Sequence, residues 1–240
     1  MNTIKWKRKG KVKIIAHRGV SGLETENTCP AFVVAGVKDY YGIETDVHVT
    51  QDGKYVVFHD DSLTRMFGLD KKLCECTFAE LRSLQLKDTD DTTKRKDLFI
   101  PSLQEYLVIC KKYNKQAILE LKGPLTDNQV KEIVQIVDEY GWLARTTFIS
   151  FAKEFLVCIK KSYPQASLQF LTNHCTDEDV AFMISQKMDA DLHYKCITKS
   201  LVKRLHNANL KVNCWTVNTI MDAKFVQTAG VDYITTNILE

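Results

Sequence analysis

Apolar and polar positions along this chain repeat with two alternating periods. Short apolar runs begin near residues 12, 42, 116, 146, 167, 189, 211 and 231. Most are followed by a stretch in which apolar residues recur every three or four positions, the mark of an amphipathic helix. Strands are expected at 116–121, 146–150, 167–171 and 189–192, with helices at 127–140, 153–162, 177–186 and 198–207. A strand at 211–216, a helix at 220–228 and a strand at 231–235 close the series. Earlier, Asn27 or Thr28 is the expected N-cap of a helix whose first turn holds Pro30, where a missing N–H costs little. Ser102 and Glu105 have capping-box spacing.

Residues 42–60 depart from this alternation. They read as a strand, a tight turn and a returning strand. Asp52-Gly53 signals a two-residue hairpin turn. With Gln51 opposite Lys54, Thr50 would face Tyr55, His48 would face Val57 and Asp46 would face His59. Glu44 and Asp46 are two apart and share a face. Residues 62–99 form an irregular insertion, and its charged run 87–96 reads as a mobile loop. Eight strands alternating with helices point to an α/β chain folded as a closed (β/α)8 TIM barrel, with a β-hairpin and a small insertion after the second barrel strand. Residues 1–240 are expected to form one domain. An open doubly wound sheet is the runner-up, but no glycine-rich phosphate fingerprint follows the first strand.

Composition narrows the function classes. The 240 residues carry a net charge of +3, too small to argue for nucleic acid. The basic cluster at 5–13 reads as a solvated terminus. No apolar run has the length of a transmembrane helix, so no stable membrane insertion is expected. The eight cysteines show no C-x-x-C pair and no zinc-like spacing. They are expected to be reduced, and with no signal-like segment the expected location is cytoplasmic.

The ends of the expected strands carry the candidate chemistry, because barrel sites form at the C-terminal ends of strands. The first ends in His17 and Arg18, the second carries Glu44 and Asp46, and the third ends in Glu120 and Lys122. The penultimate strand ends in Trp215, which alone would read as core, and the hairpin brings back His59. Three neighbouring carboxylates are too many like charges to bury without a partner. They suit a hard divalent cation, Mg2+ or Ca2+. Arg18 and Lys122 suit an anionic substrate. Two flanking imidazoles suit acid–base work. Together they suggest hydrolysis of a phosphate diester. His48, His174, His193 and His206 receive no role.

The same residues resemble the glycerophosphodiester phosphodiesterase family. The matching segments are HRG at 17–19, ENT at 26–28, GIETDVHVTQDGKYVVFHDDSLTR at 42–65 and IPSLQE at 100–105. LELK at 119–122, WTVN at 215–218 and GVDYITTN at 230–237 complete the set. The resemblance implies a (β/α)8 barrel and a divalent metal on Glu44, Asp46 and Glu120. It implies His17 and His59 as the acid–base pair, Arg18 and Lys122 on the phosphate, and Trp215 along the cleft. It implies cleavage of a small glycerophosphodiester to sn-glycerol 3-phosphate and an alcohol. It leaves open which histidine is the acid, the leaving alcohol and whether the chain is a homodimer.

Two positions depart from the family pattern: Thr25 replaces a common Pro, and Asn237 replaces a common Asp. Neither is expected to touch the chemistry. One rival reading is a lysophospholipase D or sphingomyelinase D-like enzyme. It requires an apolar rim, for which Trp6, Phe67 and Leu69 are the candidates. The other rival is a non-catalytic binder of phosphate ligands.

Overall fold

A computed structural model describes residues 2–6, 11–89 and 95–240. In chain order the elements are β1 (Lys13–Ala16), α1 (Cys29–Val37), β2 (Gly42–Val49), β3 (Tyr55–Val57), α2 (Thr64–Phe67) and α3 (Phe78–Ser83). There follow α4 (Leu103–Lys112), β4 (Gln116–Leu121), α5 (Asp127–Glu139), β5 (Thr146–Ser150), α6 (Lys153–Ser162) and β6 (Ser167–Thr172). The chain ends with α7 (Asp177–Gln186), β7 (Asp189–His193), α8 (Lys199–Asn207), β8 (Val212–Trp215), α9 (Ile220–Ala229) and β9 (Tyr233–Thr236). Among the described residues, eight strands pair in parallel in the order β1-β9-β8-β7-β6-β5-β4-β2, and β1 pairs with β2 to close the ring. This is the expected TIM barrel, with β3 as an antiparallel appendage on β2.

Alternate strand residues face inward. Ile15, Ile118, Ile149, Leu171 and Tyr233 form a small apolar cluster inside the ring. The larger core lies outside it, where helix faces such as Val130, Ile133 and Val137 of α5 cover the strands. Local signals place the helices. Thr28 caps α1, accepting from the Ala31 N–H, and a proline occupies its first turn. Ser102 and Glu105 form the reciprocal capping box of α4.

The hairpin register differs from the expected one by a residue. Val47 pairs with Val57, His48 with Val56 and Val49 with Tyr55. The turn holds three residues: Thr50 N–H donates to the Lys54 carbonyl at 2.8 Å, and Gly53 is left-handed at φ 71°. That is a turn with a glycine bulge in place of the two-residue form. Asp46 therefore lies opposite Phe58, whose N–H donates to its carbonyl at 3.1 Å. His59 lies beyond the end of β3 and is not placed by strand pairing.

The described part of the insertion is more regular than expected, with α2 and α3 inside it. Val56 and Phe58 of the hairpin join Leu63, Leu73, Leu81, Leu98 and Ile100 in a separate buried cluster. Arg82 of α3 forms a two-pronged pair with Glu105 of α4, both bonds at 2.7 Å. The charged run 87–96 falls partly outside the described residues. On its described side, Arg95 pairs with Glu24 and Asp97. The N-terminal basic cluster likewise loses residues 7–10 to the undescribed segment. Its start is not a solvated tail: Trp6 is buried and Lys5 pairs with Glu240 at 2.7 Å.

Tyr106 ties α4 to the strands that carry the carboxylates. Its buried hydroxyl donates to the Ile43 carbonyl at 2.7 Å and accepts from the Ile118 N–H at 3.1 Å. Tyr106→Phe leaves both backbone groups short of a partner. The expected loss of unfolding free energy is about 1–3 kcal/mol in urea titration. A wild-type value would show that the hydroxyl adds nothing to this junction.

Candidate active site

The loop after β1 winds tightly. Arg18 and Gly19 are both left-handed, at φ 53° and 76°. A Cβ on Gly19 would lie 2.7 Å from Ala31, so only glycine lets α1 approach this closely. The left-handed turn aims the Arg18 N–H at Glu44 Oε2, 2.8 Å away. Asn27, also left-handed at φ 55°, donates its side-chain N–H to Asp46 Oδ2 at 2.8 Å. Thr45 holds Asn27 in turn, donating to its Oδ1 at 2.7 Å. Backbone strain of this kind is tolerated where the surroundings over-determine it.

Glu44, Asp46 and Glu120 come together in this setting. All three are buried, and each offers an oxygen within 4.8 Å of the others. Lys122 Nζ stands 3.3 Å from Glu120 Oε1 and 3.5 Å from Asp46 Oδ1. Arg18 Nε is 3.6 Å from Asp46 Oδ2. Burial first, then the Asp46 charge, raises Glu44 well above the usual carboxylate range. The same two causes push Glu120 up to about 8. Burial also opposes the Asp46 charge, but Arg18 and Lys122 hold that group down to about 2. The two side-chain cations at the cluster thus support one of the three charges well.

The donor set fits a hard divalent cation. It consists of carboxylate oxygens alone, the chemistry that Mg2+ and Ca2+ prefer. Asp46 Oδ1 accepts no hydrogen bond although it is buried. Its contact with Lys122 is an ion pair without hydrogen-bond geometry. A cation there would supply the missing partner and favour the charged forms of Glu44 and Glu120.

The two histidines enter from opposite sides of the cluster. His17 Nε2 is 3.9 Å from Glu44 Oε2, and its Nδ1 is 2.7 Å from Asn237 Oδ1. Asn237 therefore touches His17, one of the residues expected to carry the chemistry, contrary to the sequence expectation. Its backbone N–H donates to Asn218 Oδ1 at 2.9 Å, so two loops fix the ring. Burial and the Arg18 charge lower His17 to about 4. His59 has an acidic partner: its Nδ1 is 2.6 Å from Asp60 Oδ1. Arg65 of α2 clamps Asp60 at 2.6 Å and reaches Glu26 at 2.6 Å, while Glu26 also accepts from Arg18 at 2.9 Å. Burial lowers His59 as well, with Asp46 and Asp60 working against it. His48, expected to be a solvated or packing residue, is buried, and its Nε2 is 3.3 Å from the His59 carbonyl.

A cavity of about 130 Å³ opens above the cluster, lined by seven of the eight residues singled out from sequence: His17, Arg18, Glu44, His59, Glu120, Lys122 and Trp215. Asp46 lies behind it, against Arg18 and Lys122. Trp215 meets Phe151 edge-on at 5.8 Å and His193 at 5.5 Å. Phe151, 43 % exposed, is the aromatic at the rim. Of the expected rim residues, Trp6 is buried in the main core beside Glu240, while Phe67 and Leu69 belong to the insertion and do not line the cavity.

Sequence reasoning gave no place in the site to Asn27, which it offered only as an N-cap, nor to Glu26, Asp60, Arg65, Asn237 or Asp191. Asp60 and Arg65 lie beside His59 inside the matched segment, so their neighbourhood was a usable signal. Asp191, a fully buried acid two residues after Asp189 on the short strand β7, was another. The Asn237 contact spans 220 positions, and no local pattern announces it.

Asn237→Asp would put a carboxylate against the His17 ring. A negative charge favours the imidazolium, so the His17 pKa should rise, as read by NMR titration of the ring protons. An unchanged or lower value would show that residue 237 does not govern the ring.

Comparisons with known proteins point to one family. The model of the glycerophosphoryl diester phosphodiesterase family matches residues 17–240. A glycerophosphodiester phosphodiesterase of Bacillus altitudinis is 30% identical over 239 residues, covering 94% of each chain. One from Caldanaerobacter subterraneus is 29% identical over 236 residues, covering 95% of this chain and 94% of its own. A solved phosphodiesterase from Oleispira antarctica, in complex with the product sn-glycerol-3-phosphate, superposes with a TM-score of 0.87. It is 25% identical, and the match covers 94% of this chain and 92% of the other. With the barrel, the carboxylate cluster and the flanking histidines on one mouth, the chain belongs to the glycerophosphoryl diester phosphodiesterase family.

Proposed function

We propose that the chain hydrolyses small glycerophosphodiesters to sn-glycerol 3-phosphate and an alcohol, with residues 1–240 acting as one catalytic domain. The observation that carries this reading is the cavity itself. It joins an all-oxygen acidic cluster, two cationic side chains and two imidazoles with different partners. The family membership and the product complex of the Oleispira relative support it.

Glu44, Asp46 and Glu120 would hold one divalent cation, Mg2+ or Ca2+. When bound, such a cation neutralises diester charge and stabilises the charge that develops at phosphorus. Arg18 has one arm held by Glu26, and Lys122 projects from the end of β4; both offer N–H donors to phosphate oxygens. Preorganised donors of this kind need no rearrangement during reaction. Trp215 forms an apolar wall against the organic part of the substrate.

The partners of the two rings divide the proton work. His17 Nδ1–H donates to a neutral amide oxygen, which leaves Nε2 unprotonated and facing Glu44 in the cavity. Burial keeps this ring neutral. His17 therefore takes the proton from the attacking hydroxyl or water. The Asp60 carboxylate, held by Arg65, steadies the protonated form of His59. His59 gives a proton to the leaving alcohol oxygen. Proton transfer by a positioned group contributes about 10²–10⁴-fold.

The direct test is release of sn-glycerol 3-phosphate from glycerophosphocholine and glycerophosphoethanolamine by chelator-stripped protein, before and after adding Mg2+ or Ca2+. Activity is expected only with metal. His17→Ala and His59→Ala should each lower turnover by at least about 10²-fold. Near-normal turnover in both variants would end the acid–base assignment. Glu44→Ala should weaken metal binding measured by calorimetry, and an unchanged titration would remove Glu44 from the ligand set. Folded protein that releases product from neither substrate with either metal would sink the reading.

A further inference from the structure

Asp191 is a buried carboxyl of the same cavity that the proton chemistry leaves unused. It is 2 % exposed and lies on β7, two residues before the end of the strand at His193, so its side chain points into the barrel. Its Oδ1 has no hydrogen-bond partner. On one side it meets Asn213, its register partner on β8, whose amide donates to Thr235 Oγ1 at 3.0 Å. Its own carbonyl accepts the Trp215 indole N–H at 3.4 Å. In the ring order, β7 stands four strands from β2 in either direction. Asp191 therefore faces the carboxylate cluster across the barrel, and the cavity joins the two.

A phosphate held at the cluster sends its two organic substituents away from Arg18 and Lys122. The leaving alcohol varies and has to depart, so it belongs at the open rim beside Phe151. The glyceryl group is small and polar and suits the enclosed side beneath Trp215. Its terminal hydroxyl, the atom farthest from phosphorus, reaches furthest across the barrel. We propose that Asp191 receives this hydroxyl and thereby selects diesters with a free terminal glyceryl hydroxyl over acylated lysolipids. The proposal rests on the phosphodiesterase reading given above. An acyl ester at that position would leave the buried Oδ1 without a partner, and sites built around a hydroxyl discriminate strongly against analogues that lack it. Burial raises Asp191 to about 8, so near neutral pH the group is largely a carboxylic acid. That form both donates to and accepts from a hydroxyl, and it suits an ammonium group poorly.

The test compares two diesters with the same leaving group: sn-glycero-3-phospho-p-nitrophenol and 2-hydroxypropyl p-nitrophenyl phosphate, which lacks only the terminal hydroxyl. The ratio of their kcat/KM values should fall about tenfold or more in Asp191→Ala. Asp191→Asn, which keeps a donor and an acceptor, should retain part of the selectivity. Calorimetric binding of sn-glycerol 3-phosphate and 2-hydroxypropyl phosphate should show the same pattern without turnover. If the wild type cleaves both diesters and neither variant changes the ratio, Asp191 is a packing residue and the proposal is overturned, while the phosphodiesterase reading stands. If the wild type cleaves neither diester and binds neither monoester, both readings fall together.

Discussion

Three carboxylates buried within reach of one another are the constraint around which this protein is arranged. Such a group is costly unless charge or hydrogen bonds support it. Much of the surrounding structure provides that support. A left-handed arginine turns its N–H to Glu44, a left-handed asparagine turns its amide to Asp46, and Lys122 stands between Asp46 and Glu120. The close approach of Gly19 to Ala31 brings the start of α1 near enough for Asn27 to reach its target. The support is incomplete, as the raised Glu44 and Glu120 and the unpartnered Asp46 oxygen show. An acidic cluster left short of positive charge is what a cation site requires before the cation arrives.

The two imidazoles show how chemically equal side chains come to sit in different environments. A neutral amide behind His17 fixes the tautomer without adding charge. A carboxylate behind His59 favours the protonated ring. Arg65 reaches Asp60 and Glu26 together, so one residue of the insertion braces the histidine on one side and Arg18 on the other. The insertion has a buried cluster of its own and is pinned to α4 through Arg82 and Glu105. Its described part therefore has packing of its own from which Arg65 reaches the site. The same architecture separates a polar, enclosed end of the cavity at β7 and β8 from an aromatic rim at Phe151.

Among the described residues, no helix is long and apolar enough to cross a membrane. All eight cysteines are free, and Cys110 and Cys214 lie fully buried as small apolar groups. Neither observation competes with the cavity for the centre of the function.

The sequence by itself determined the barrel and most of its elements. Strand and helix periods are local, and caps such as Thr28 and Ser102 are written in adjacent residues. It also determined which residues meet at the mouth, because a parallel barrel brings every strand end to one side. The hairpin register was not legible, since a single bulged residue shifts the pairing and Asp52-Gly53 serves both turn forms. Tertiary structure alone decided the surroundings: Asn237 behind His17, Arg65 linking Asp60 to Glu26, and the Asp191 Oδ1 without a partner across the cavity. Asn237 and His17 lie 220 positions apart and Arg65 and Glu26 lie 39 apart, and their geometry follows from packing, which leaves no periodic trace in the sequence.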